Sequence, residues 1–89
     1  MHPGESNASF IMEGFLEFIV SNEKEAKVLR DLFVFKVIPM LNPDGVIVGN
    51  YRTSLSGFDL NRQWVNPDKL LSPEIFAMKQ MVKKTLECR

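Results

Sequence analysis

The sequence predicts an α/β fold in which helices flank a buried central strand, and three observations predict it. After Glu5, apolar residues recur every four positions as Phe10/Ile11, Phe15 and Phe18/Ile19, the stripe of an amphipathic helix. The run Leu32-Phe33-Val34-Phe35-Lys36-Val37-Ile38-Pro39-Met40 is almost continuously apolar and rich in β-branched and aromatic residues, as a strand covered on both faces would be. Ser72-Pro73-Glu74 opens a closing helix whose Ile75, Met78, Val82 and Leu86 share one face.

Taken in order, the first helix is placed at Ser6 to Val20. Asn22 and Glu25 have the spacing of a capping box, and Ala26, Val28 and Leu29 suit a second helix ending near Asp31. The strand from Leu32 must stop at Asn42-Pro43-Asp44-Gly45, four turn-forming residues in a row. From Val46 to Pro67 no period persists, and Gly49, Asn50, Ser54, Ser56 and Gly57 interrupt any regular element, so this stretch reads as a long functional loop. A strand in this setting needs a neighbour, expected ahead of His2.

Composition narrows the function. Eleven basic and eleven acidic residues cancel to a formal net charge of zero, which provides no electrostatic footprint for nucleic acid or an anionic membrane. Recognition through charge must be local. No apolar run reaches the roughly 18 residues that span a bilayer, and Met1-His2-Pro3-Gly4-Glu5 lacks the basic and apolar regions of a signal peptide. The lone Cys88 has no intrachain disulfide partner, and a cytoplasmic location is expected.

Three short segments carry chemistry. His2 and Glu5 bracket Pro-Gly, a turn that can aim an imidazole and a carboxylate at one point; both are zinc ligands, and a catalytic zinc takes three protein ligands plus water. Asn61 beside Arg62 in Asp59-Leu60-Asn61-Arg62 joins an amide donor to a guanidinium fork, a combination suited to a terminal carboxylate. Arg52, in Asn50-Tyr51-Arg52-Thr53, carries a permanent charge able to stabilise a developing oxyanion. Read singly, these segments also describe a solvated terminus, an ordinary loop and surface arginines.

In their order along the chain, His2-Pro3-Gly4-Glu5-Ser6-Asn7-Ala8-Ser9, Pro39-Met40-Leu41-Asn42-Pro43-Asp44-Gly45-Val46, Gly49-Asn50-Tyr51-Arg52 and Asp59-Leu60-Asn61-Arg62 resemble the cytosolic carboxypeptidase subfamily of zinc metallocarboxypeptidases. The resemblance runs from His2 to Trp64. It implies a mixed-sheet α/β domain that removes residues from protein C-termini, with residues 1–89 forming the N-terminal part of that catalytic domain. It also implies Zn2+ held by His2 and Glu5, Arg52 polarising the scissile carbonyl, and Asn61 with Arg62 gripping the substrate's terminal carboxylate. The implied substrates are protein or peptide C-terminal tails bearing glutamates, polyglutamylated tubulin among them. The third zinc ligand and the glutamate general base of the subfamily lie downstream of the matched motifs and have no counterpart here, so the 89 residues alone are expected to be inactive. Two other readings fit parts of the pattern: an aspartoacylase-like zinc deacylase, and a non-catalytic truncated isoform that binds a tail without cleaving it.

Overall fold

The computed structural model describes residues 1–88, which form two compact units: Glu5–Met40, and Met1–Gly4 together with the chain from Leu41 onward. Among the described residues the helices are α1 (Ser6–Ile19), α2 (Lys24–Leu32), α3 (Pro43–Val48) and α4 (Pro73–Glu87), with a single 3-10 turn at Leu60–Arg62.

In the Glu5–Met40 unit, α1 and α2 pack as a helical hairpin with Ile19 and Ala26 buried between them. Apolar spacing places α1 within one residue of its expected bounds. The carbonyl of its last residue lacks a helical partner, and Arg30 of α2 supplies one by donating from Nη1 to Ile19 O at 2.6 Å, and to Ser21 O beyond the helix at 3.0 Å. The expected capping box does not form: Glu23, not Asn22, is the N-cap of α2, and Ser21 Oγ accepts from its backbone N–H.

The segment Leu32–Met40 departs most from expectation. Leu32 ends α2, Phe33 is extended at φ −132° and ψ 147°, and no strand occurs among the described residues. Nor is the segment buried, since Val34 is 89% exposed. Phe35 packs instead against Phe15 and Phe33, with ring centroids 6.1 and 6.3 Å apart. β-propensity describes a side chain's fit to a pleated, covered surface, and without a neighbouring strand the ladder that would use it cannot form.

In the other unit, Asn42-Pro43-Asp44-Gly45 is the start of a helix and not a plain turn. Asn42 is the N-cap of α3, its Oδ1 accepting from Gly45 N at 3.0 Å, and Pro43 occupies the first turn. Gly49, at φ 86°, ends α3 in the left-handed conformation. The expected long loop therefore contains part of α3 and the 3-10 turn, whose Leu60 is wholly buried. The closing helix α4 begins at Pro73 as its sequence requires and buries Ile75 completely, but Val82 and Leu86 are 43% and 55% exposed. No helix of the described residues is long and apolar enough to cross a membrane.

Candidate functional site

Asn42 is 1% exposed and makes three links at once. Besides capping α3, its Nδ2 donates to Met1 O at 3.3 Å and to Thr53 O at 3.2 Å. On the other side of His2, Gly4 N donates to Tyr51 O at 2.9 Å. A Cβ on Gly4 would lie 2.7 Å from that same carbonyl oxygen, so only glycine allows the approach. These bonds bracket His2 and fix it beside the segment that carries Arg52 and Asp59.

Asp59 is the centre of the site. Its Oδ1 accepts from His2 Nε2 at 2.9 Å and from Asn61 N at 2.9 Å; its Oδ2 accepts from Arg52 Nε at 3.1 Å and Nη2 at 2.8 Å. Partial desolvation pushes the carboxyl up, but hydrogen bonds from Arg52, His2 and Asn61 N–H, with the charge of His2, outweigh it and hold the pKa at about 2. Asp59 is therefore ionised at neutral pH and can only accept.

That fixes the role of His2 Nε2. Arg52 Nη2 also lies 3.3 Å from His2 Nε2, and a nitrogen that donates to a carboxylate cannot accept from a guanidinium. The shorter contact, to an acceptor-only group, puts the proton on Nε2. Nδ1 is then the atom with which the imidazole would meet a metal ion, and a carboxylate behind a histidine in this way orients the ring.

The structure thus groups His2, Arg52 and Asn61 around one carboxylate, with Arg62 next in the same 3-10 turn. The 3-10 geometry follows from Asp59 capping Asn61 N while Leu60 is driven into the core. Both Asn61 and Arg62 remain exposed, as residues that meet a ligand from solvent must be. Glu5 belongs to the other unit, where it is the N-cap of α1 and its side chain makes no capping bond. Among the described residues no group of three or more His, Cys, Asp or Glu side chains converges to hold a metal. The Nε2–H bond of His2 to Asp59 suits a zinc ligand, but the described residues do not close a three-donor site.

Two contributors were within reach of sequence reading. Asp59 stands two residues before Asn61, the Asx-turn spacing that caps a tight turn. Asn42 before Pro43 is an N-cap followed by a first-turn proline. That Asp59 also reaches His2, 57 positions away, is visible only in three dimensions.

The sequence pattern of the zinc carboxypeptidase family matches residues 1–88, and the chain belongs to that family. Among individual proteins, it is 63% identical to cytosolic carboxypeptidase 2 of Mus musculus and 60% identical to cytosolic carboxypeptidase 2 of Homo sapiens, each over all 89 residues and 10% of the relative's length. It is 55% identical to cytosolic carboxypeptidase 3 of Bos taurus, again over the full chain and 9% of that protein. The chain therefore spans about a tenth of the length of these relatives.

Proposed function

We propose that this chain is the N-terminal part of the catalytic domain, of mixed-sheet α/β architecture, of a zinc-dependent metallocarboxypeptidase. Its substrates are protein or peptide tails from which C-terminal or side-chain-linked glutamates are removed, with tubulin tails as one such class, and it works in the cytoplasm. The observation that carries the reading is the Asp59 carboxylate, which draws the imidazole of His2, the guanidinium of Arg52 and the backbone of Asn61 to one point.

In this assignment His2 and Glu5 would hold zinc, which when bound lowers the pKa of water and polarises a carbonyl oxygen. Arg52 is aimed by its paired hydrogen bonds to Asp59 and stabilises charge as it grows on the scissile carbonyl oxygen. Asn61 and Arg62, presented together by the 3-10 turn, bind the terminal carboxylate, which places the last peptide bond beside Arg52. The names of the relatives, each a cytosolic carboxypeptidase, support both the reaction and the compartment.

A segment exchange tests the reading. The 89 residues replace their 63%-identical counterpart in the Mus musculus relative, and the chimaera is assayed on a peptide ending in glutamates. Zinc-dependent release of glutamate is expected. A folded chimaera that binds the peptide without releasing glutamate would instead make the segment a non-catalytic binding module.

A further inference from the structure

Beyond the clamp residues themselves, Trp64 lies three positions after Asn61, with its indole Nε1 2.9 Å from the Asn61 side-chain oxygen. An indole N–H can only donate, so the amide atom facing it must be Oδ1. Trp64 is in turn fixed from α4, where Lys79 Nζ donates to Trp64 O at 2.6 Å and Val65 O at 3.2 Å. With Oδ1 committed to the indole, the group that Asn61 turns toward a ligand is its NH2.

We propose that Trp64 is a positioning residue that makes Asn61 a dedicated hydrogen-bond donor, and so strengthens the clamp's preference for a free carboxylate over a terminal amide. This rests on Asn61 and Arg62 being the clamp. If the amide were reversed, Oδ1 would confront the ligand's carboxylate oxygens and repel them, while it would welcome the NH2 of an amidated terminus. Once a ligand covers the exposed clamp, a polar group left facing the wrong partner discriminates between ligands of equal size. Lys79 extends the control by tying the Trp64 and Val65 carbonyls to α4.

The test uses the 89-residue chain and two ligands that differ at one group: a short peptide ending in glutamate and the same peptide as its C-terminal amide. Dissociation constants come from calorimetry, and the indole Nε1–H resonance of the chain's one tryptophan is followed by NMR. The wild-type chain is expected to prefer the acid. Trp64→Phe, which keeps a ring and removes the N–H, should reduce the acid-over-amide ratio about 3- to 10-fold, the value of one neutral hydrogen bond. Lys79→Met should move the ratio the same way by a smaller factor, and it serves if Trp64→Phe does not fold. Asn61→Ala should shift the indole proton and lower the preference at least as far as Trp64→Phe does, with Arg62 keeping the remainder.

The outcomes separate the two readings. If Asn61→Ala lowers the ratio and neither Trp64→Phe nor Lys79→Met does, the positioning role is wrong and the clamp stands. If the wild-type chain shows no acid preference, or Asn61→Ala leaves that preference intact, the clamp assignment itself falls.

Discussion

Replacing Asn42 with alanine removes a helix cap and two tertiary hydrogen bonds in a single step. Loss of the cap on Gly45 N costs about 1 kcal/mol. Each donor bond from Nδ2 contributes about 0.5–1.5 kcal/mol net, and a carbonyl left buried without a partner costs more. Thr53 O retains the Asn50 Nδ2 donor at 3.2 Å, so the heavier loss falls on Met1 O. The sum is about 2–4 kcal/mol, a large share of the ~5–15 kcal/mol that stabilises an ordinary domain. Asn42→Asp divides the effect: it keeps the oxygen that caps α3 but sets a carboxylate against the Met1 and Thr53 carbonyls. It should therefore lose the tertiary links and preserve the cap. Urea denaturation measures the total, and amide exchange assigns it. In Asn42→Asp the Gly45 amide should stay protected while Gly4, beside His2, exchanges faster. A loss below about 0.5 kcal/mol in Asn42→Ala, or an Asn42→Asp protein as stable as wild type, would refute Asn42 as the residue that seats the His2 segment.

The arginines should separate in steady-state kinetics of the active chimaera. Arg62→Ala should mainly raise KM, because the clamp acts before and during reaction, whereas Arg52→Ala should lower kcat by about two to three decades, the cost of one preorganised donor at an oxyanion. Equal, purely KM effects would remove that division, and Arg62→Lys should rescue poorly because an ammonium lacks the planar fork. The carboxyl of Asp59 gives a pH signature. Its pKa falls from 3.8 to about 2 on folding, so its contribution to stability is full above pH 4 and is lost as pH drops through 2. Denaturation between pH 5 and 2 should show that acid slope flattened in Asp59→Asn, and an unchanged slope would dissociate Asp59 from the hydrogen bonds described. Gly4→Ala should destabilise by about 1–3 kcal/mol and weaken zinc binding, because the new Cβ would strike the Tyr51 carbonyl; a neutral substitution in both measurements would show that the approach is not needed.

The parts of the fold that were legible in the sequence are those whose hydrogen bonds close within four residues. Phe10, Phe15 and Phe18 announce α1, and Pro73 with Glu74 announces α4, because helical periodicity and first-turn chemistry are local properties. Asn42 carried a local signal as well, but the turn propensity of Asn-Pro-Asp-Gly concealed the helix that the same residues begin. Leu32–Met40 has the composition of a strand and is not one here, because a ladder needs a second segment that composition cannot supply. The candidate site divides in the same manner. His2, Glu5, Arg52, Asn61 and Arg62 could be named from residue type and motif, since the chemistry of imidazole, carboxylate and guanidinium belongs to the residue itself. That Asp59 brings His2 to Arg52 was decided only by tertiary structure. Hydrogen bonds need atoms within about 3 Å and correctly aligned, and for residues as far apart as His2 and Asp59 only the folded backbone sets that distance.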